Sequence, residues 1–117
     1  MIYAPMALFP SDRPERRTEP RRPANVAGVV VGPGLELGCT IVDVSDQGMR
    51  IRLSRNLALP DEVIVVEVGA GLAHEGRVVR RQGVEAGLKR QRQTRLGGLV
   101  PARLTAAREA WLRAGGR

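Results

Sequence analysis

Residues that build catalytic centres, metal sites and disulfides are scarce in this sequence. Its 117 residues include one cysteine, Cys39, and one histidine, His74. A lone thiol cannot form an intrachain disulfide, and this cysteine usage is typical of a reducing compartment, so we expect a cytoplasmic protein. A nucleophile needs a neighbouring base, and a zinc site needs several Cys or His ligands. We interpret His74 as an inert surface residue and predict a protein that is not an enzyme, with no catalytic residues, no metal and no cofactor.

Aromatic residues and long apolar runs are also scarce. Tyr3, Phe9 and Trp111 are the only aromatic residues, so the core must be built from Val, Leu, Ile and Ala. No stretch approaches the roughly 18 apolar residues of a membrane-spanning helix. The apolar start, residues 1–9, lacks a basic segment and is interrupted by Pro5, which disfavours a secretory signal. The length predicts a single domain.

Positive charge dominates and is unevenly distributed. The formal net charge is +7. Residues 1–24 hold five Arg and three acids, residues 25–76 hold three Arg and seven acids, and residues 77–117 hold eleven Lys or Arg and two acids. A basic surface favours an anionic partner, although the same charges can also form an ordinary solvated surface. The sequence leaves both interpretations open for the basic tail.

Periodicity predicts a flexible arm followed by an all-β domain. Four prolines within residues 10–24 disfavour helix and central strand, so we expect a flexible N-terminal arm. From Asn25 onward, short apolar or alternating runs are separated by turn signals. This spacing is typical of an antiparallel β-barrel or sandwich. Cys39 lies on the apolar face of one run, which favours a core residue over a nucleophile. The predicted strands are 25–31, 35–41, 49–54, 62–68, 73–80 and 84–89.

The C-terminal segment predicts a helix. Pro101 suits a first helical turn, and the pair Gly115-Gly116 suits a helix end. Between them, apolar residues recur at steps of three and four, as on one face of a helix. Trp111 on this face is either an anchor for a partner or, as we favour, a lid packed on the end of the barrel. The stripe comprises Leu104, Ala107, Trp111 and Ala114.

Two further features point to function. One is an arginine cluster in the arm, and the other is the turn Asp43-x-Ser45-x-x-Gly48 between two predicted strands. Taken singly, an arginine cluster is usually solvated or loosely bound to nucleic acid. The turn alone is a common device in which Asp and Ser bind backbone amides and Gly adopts a positive φ. The clustered arginines are Arg13, Arg16, Arg17, Arg21 and Arg22.

Together, in this order, the two features resemble the signature of the PilZ domain family, RxxxR followed by (D/N)xSxxG. Arg17 and Arg21, preceded by Arg16, match the first motif, and the Asp43–Gly48 turn matches the second. The pair Arg13 and Arg17 fits the first motif in a competing register. The resemblance implies a six-stranded antiparallel PilZ-type β-barrel with a C-terminal α-helix. It divides the chain into a tail, 1–14, and a PilZ domain, 15–117, with arm 15–24, barrel 25–96 and helix 101–114.

The resemblance also implies a ligand, the bacterial second messenger cyclic di-GMP. Arginine presents paired donors that match O6 and N7 of guanine, and its plane can stack on the base. A carboxylate such as Asp43 can accept hydrogen bonds from the opposite, N1–H and N2–H₂ edge. Ser45 can bind a phosphate or orient Asp43, and Gly48 allows close approach of the backbone. The binding residues implied are Arg16, Arg17, Arg21, Asp43, Ser45 and Gly48.

Binding would order the arm and so relay the signal to a downstream protein. Many family members carry one aromatic residue near the position of Arg80 and another after residues 83–87, where this chain has Lys89 and Arg90. We therefore expect a more basic outer wall. Two alternatives stay open. One is a PilZ adaptor without ligand that acts through protein contacts. A less favoured one is a barrel that binds nucleic acid, because this sequence lacks an aromatic stacking platform.

Overall fold

The computed structural model describes residues 22–117, with side chains from Asn25 onward. As predicted, six antiparallel strands close into a barrel, and their order around it is β1-β2-β3-β6-β5-β4. The motif arginines Arg16, Arg17 and Arg21 lie outside the described residues, as does most of the predicted arm. The strands are β1 (Arg22–Gly32), β2 (Leu35–Val44), β3 (Gly48–Leu53), β4 (Glu62–Glu67), β5 (Leu72–Gln82) and β6 (Glu85–Arg95).

The barrel interior is filled by the apolar residues that alternate along the strands. In β3, Met49, Ile51 and Leu53 point inward, while Arg50 and Arg52 lie on the exposed face, as the alternation predicts. Side chains of this size each contribute about 1.5–3 kcal/mol when fully buried, so burial of this interior stabilises the barrel. The interior cluster consists of Val30, Leu37, Ile41, Val44, Met49, Ile51, Leu53, Val63, Val65, Ala86 and Leu88.

A second apolar cluster lies on the outer wall of β1 and β4. The residues that alternate with the interior ones, such as Val29 and Val66, are also buried here. They are covered by the C-terminal helix α1 (Thr105–Arg113), which follows a 3₁₀ turn at Ala102–Leu104. Burial on both faces explains why the sequence of β4 is almost continuously apolar. The outer cluster consists of Val29, Val31, Val66, Ala73, Leu96, Ala107, Ala110 and Trp111.

Trp111 is a packing residue, but its place differs from the one we predicted. The indole is 4% exposed and lies against the outer wall, and its Nε1 donates a hydrogen bond of 2.9 Å to the carbonyl of Val68. It therefore covers the side of the barrel beside the β4–β5 turn and not the end. The helix buries Ala110, while Ala114, the C-terminal cap, is exposed. No helix within residues 22–117 is long and apolar enough to cross a membrane.

Strand β1 begins at Arg22, earlier than the predicted start at Asn25. Arg22 is paired with Val44 and Pro23 with Asp43, and the register then shifts before Val26. Asn25, in this irregular stretch, has a φ of 50°. A proline is tolerated in a strand next to such a bulge, because the bulge already interrupts the hydrogen-bonded ladder. The chain consequently enters the barrel directly beside Asp43.

Candidate functional site

The Ser45 side chain closes the β2–β3 turn. The amide of Gly48 donates to the Ser45 hydroxyl oxygen at 3.1 Å, and the Ser45 hydroxyl lies 3.3 Å from the Gly48 carbonyl. The backbone closes the same turn, because the Ser45 amide donates to the Gly48 carbonyl at 2.8 Å. Gly48 begins β3 and is not among the described glycines with positive φ, so the expectation of a left-handed glycine here was wrong. Ser45 therefore holds the turn in shape.

Asp43 lies at the base of this turn, next to an arginine that the motif does not include. Asp43 is 9% exposed, and its Oδ2 lies 3.0 Å from Nη2 of Arg50 on β3. The backbone register pairs the two residues across the strands. Because the Arg50 side chain is 53% exposed, this ion pair contributes little to stability. It does orient the carboxylate toward the outer surface of the barrel.

An open cleft of about 480 Å³ extends from Asp43 across β3, β6 and β5. One cross-strand row forms its floor, since Arg50 is paired with Gly87 and Gly87 with Arg80. A Cβ atom at Gly87 would lie 3.4 Å from Cβ of Arg80, so the absent side chain opens the floor of the cleft. Arg80 makes no hydrogen bond or ion pair within the part of the chain that the structure describes. The cleft thus has a flat centre, with guanidinium groups at both sides and two carboxylates in its lining, Asp43 at one end and Glu85, which is paired with Arg52.

Two polar residues, His74 and Arg90, lie inside one end of the barrel, contrary to expectation. His74, interpreted above as a surface residue, is 2% exposed, and its Nε2 lies 3.1 Å from Oε1 of Glu67. Arg90, expected on the outer wall, is half-buried, and its Nη1 lies 3.1 Å from Nδ1 of His74. Arg90 Nη2 also donates to the carbonyl of Asp46, within the β2–β3 turn, at 3.0 Å. Lys89 is exposed, as expected.

The Cys39 thiol is not set up as a nucleophile. Cys39 is half-buried and packs against the interior cluster, in agreement with its predicted place on the apolar face of the strand, and burial raises the pKa of its thiol to about 12. Within residues 22–117, no cluster of three or more His, Cys, Asp or Glu residues is arranged to hold a metal ion.

We expect Cys39 to react with iodoacetamide at pH 8 at least about a hundredfold more slowly in the native protein than in urea, because the thiolate is the reactive form. Mass spectrometry of samples quenched over time measures both rates. A native rate close to the unfolded rate would mean that burial does not suppress the thiolate.

Sequence patterns located part of this site and missed the rest. The motif identified Asp43, Ser45 and Gly48, which the structure brings together at one turn. It did not identify Arg50 or Arg80. Alternation along β3 placed Arg50 on the outer face, but only the register of β2 against β3 shows that it is the neighbour of Asp43.

Comparison with known proteins agrees with this architecture. A family model described as PilZ domain matches residues 15–104, a range that includes both motifs and all six strands. Neither the curated proteins nor the solved structures that were compared gave a match. Since the family match extends over well more than half of the 117 residues, the chain belongs to the PilZ domain family.

Proposed function

We propose that this chain is a receptor for cyclic di-GMP that binds the dinucleotide in the cleft beside the Asp43–Gly48 turn. The PilZ family comprises receptor and adaptor domains, which supports a binding role over catalysis. The observation that carries the proposal is the register of β1. Pro23 is paired with Asp43, so the chain that follows Arg17 and Arg21 joins the barrel at the turn. This pairing of residue 23 beside the second motif supports a site that also draws on the motif arginines just before it in the sequence.

The chemistry of the cleft suits a planar anionic ligand. In this proposal Arg17 and Arg21 contact guanine O6 and N7 or a phosphate, while Asp43 accepts from the N1–H and N2–H₂ edge. Arg80 lies over the open position of Gly87, where its guanidinium can stack on a base. The cleft volume, about 480 Å³, falls within the roughly 300–1,000 Å³ typical of small-molecule sites.

Binding would fix the arginine arm against the cleft and change the surface that a protein partner contacts. Binding energy from the arm contacts would be partly offset by the entropy lost when the arm is fixed. Hydrogen exchange across residues 10–24 measures this step. Added protection with cyclic di-GMP is expected, whereas identical exchange with and without ligand would contradict the relay mechanism.

Titration calorimetry with cyclic di-GMP, beside GTP and linear pGpG, tests the proposed function. Saturable binding that is selective for the cyclic dinucleotide supports a receptor. Absence of both heat and thermal shift at high ligand concentration would favour an adaptor that acts through protein contacts. Binding of RNA or single-stranded DNA that weakens steeply with salt would favour the nucleic-acid alternative.

Replacing Arg21 with lysine is expected to weaken cyclic di-GMP binding roughly tenfold. Lysine keeps the positive charge but loses the paired donors that match a guanine edge. Calorimetry of the variant against the parent protein measures the change, and Arg13→Lys is the matched control outside the favoured motif register. Nearly unchanged affinity for Arg21→Lys would contradict the bidentate contact.

A further inference from the structure

We propose that Arg90 and His74 are positioning residues, which hold the Asp43–Gly48 turn in its binding shape from inside the barrel. The proposal rests on the proposed function only where it concerns ligand affinity. The order of the turn can be measured in the ligand-free protein.

Arg90 contacts the turn through both its backbone and its side chain. Its amide donates to the carbonyl of Gln47 at 2.8 Å, and its Nη2 donates to the carbonyl of Asp46 at 3.0 Å. Asp46 and Gln47 are the two residues between Ser45 and Gly48. Ser45 fixes the two ends of this segment, and Arg90 fixes its middle. The turn is therefore held at four successive residues.

The guanidinium of Arg90 is itself fixed by two neighbours. Nη1 donates to Oε1 of Gln93 at 3.0 Å and lies 3.1 Å from Nδ1 of His74. Arginine has only donors, so Nδ1 of His74 must accept this hydrogen bond. The other ring nitrogen, Nε2, then carries the proton and donates to Glu67. The contacts thus select one neutral tautomer of His74. They form a series of hydrogen bonds from Glu67, at the end of β4, to the binding turn.

Burial of these hydrogen-bonded polar side chains has an energetic cost that apolar residues would avoid. Polar groups removed from water stabilise a fold only when they are fully hydrogen-bonded, and Nε of Arg90 is buried without a hydrogen-bond partner among the described residues. Well-packed apolar residues can replace such clusters without loss of stability. A role in fixing the turn accounts for a feature that stability alone does not favour.

Protonation of His74 would interrupt this series of hydrogen bonds at its centre. A proton on Nδ1 would replace the acceptor with a donor and set two cations against each other. Burial lowers the pKa of His74 below its ordinary value, the positive charge of Arg90 lowers it further, and the contact with Glu67 acts in the opposite direction. These are the charged groups that act on the ring from β4 and β6. Acidification to below the ordinary histidine pKa of about 6.5 therefore releases Arg90, and with it the turn.

Amide exchange in ligand-free protein tests the role of Arg90 directly. Arg90→Met keeps the length of the side chain and removes all its donors. The matched control is Arg92→Met on the same strand, because Arg92 is exposed and its side chain makes no hydrogen bond or ion pair within residues 22–117. Exchange of the Gly48 amide, followed by NMR, should accelerate about tenfold in Arg90→Met, while Val30 and Val65 in the barrel core keep their parent rates. Equal Gly48 exchange in Arg90→Met and in Arg92→Met would overturn the proposal.

Two substitutions of His74 separate positioning from packing. In His74→Asn, the amide oxygen occupies the position of Nδ1 and can still accept from Arg90. In His74→Gln, the amide nitrogen occupies the position of Nε2 and keeps the donor to Glu67, but no acceptor faces Arg90. We expect His74→Gln to accelerate Gly48 exchange and His74→Asn to preserve the parent rate. Equal acceleration in both variants would show that the ring acts by packing alone and would overturn the proposal.

Calorimetry with cyclic di-GMP then extends the test to function. Affinity is expected to fall several-fold in Arg90→Met and in His74→Gln, and to fall in the parent protein only as the pH drops below the ordinary histidine pKa of about 6.5, because burial lowers the pKa of His74. His74→Asn should flatten this pH profile, since its amide does not titrate. If no protein binds the dinucleotide at any pH, the proposed function fails, and the Gly48 exchange rates still decide whether Arg90 and His74 position the turn.

Discussion

Replacing Asp43 with alanine is expected to weaken cyclic di-GMP binding at least about a hundredfold. The carboxylate ends the cleft where the arm joins the barrel, and Arg50 orients it at 3.0 Å. In the proposed complex it accepts hydrogen bonds from two guanine donors, and hydrogen bonds to charged groups contribute about 1.5–3 kcal/mol each. A loss of about 3 kcal/mol corresponds to roughly a hundredfold in the dissociation constant. Calorimetry, with competition by a fluorescent analogue for weak variants, measures the change.

Asp46→Ala is the matched control for this substitution. It removes the same charge from the same turn, but the Asp46 side chain is exposed and makes no hydrogen bond or ion pair within the part of the chain described. Its carbonyl, which accepts from Arg90, is retained. We expect affinity within about twofold of the parent protein. Equal losses in both variants would mean that the turn contributes only its overall charge, and the carboxylate contact would be wrong.

The stability of Asp43→Ala is measured beside its affinity, so that lost binding is not confused with lost folding. Asp43 is buried, whereas Arg50 is about half exposed and can be solvated by water once its partner is gone. Urea unfolding compares the midpoints of the parent and the variant, and calorimetry is carried out under conditions in which both proteins are folded.

The strands of the barrel could be predicted because their apolar residues alternate. In β3 the alternation assigned Met49, Ile51 and Leu53 to the interior and Arg50 to the exterior, and the structure confirms both. Alternation assigns a residue to a face of the sheet, but it does not identify its partner on the next strand. The pairing of Arg50 with Asp43, and of Gly87 with Arg80, follows from registers that depend on bulges in β2 and β5. This is why the motif was found and the cleft beside it was not.

Polar residues inside the barrel could not be predicted from local patterns. The second half of β6 is almost entirely polar, so the predicted strand ended at residue 89 and the structure continues it to Arg95. His74 and Arg90 occupy inward positions that a periodicity argument assigns to apolar residues. Glu67 faces His74 across the β4–β5 hairpin, but the carbonyl of Asp46 is 44 residues from Arg90 in the sequence, and only the folded barrel brings these two together. Where the burial of a polar residue depends on partners from several strands, the residue type alone does not predict whether it is buried.

Replacing Trp111 with alanine is expected to lower the free energy of unfolding by about 3–5 kcal/mol, the range for aromatic truncations in cores. The indole closes the outer cluster between α1 and the wall formed by β1 and β4, and it donates to the carbonyl of Val68 at 2.9 Å. Gly71 and Gly116 pack so closely against the ring that a Cβ atom at Gly116 would overlap it. Removal of the ring leaves a cavity bounded by backbone that cannot collapse freely. Urea unfolding followed by circular dichroism measures the loss.

Two controls resolve this effect into its parts. Leu112→Ala, on the same helix but about half exposed, should cost well under half as much, because less apolar surface returns to water. Trp111→Phe keeps most of the packing and loses the hydrogen bond to Val68, which contributes about 1 kcal/mol. Trp111 contacts the β4–β5 turn, whereas Arg80 and Gly87 line the cleft near the opposite end of β5. Folded Trp111→Phe should therefore bind cyclic di-GMP with parent affinity. A matching loss of affinity would instead mean that the outer wall and the cleft are coupled through the barrel.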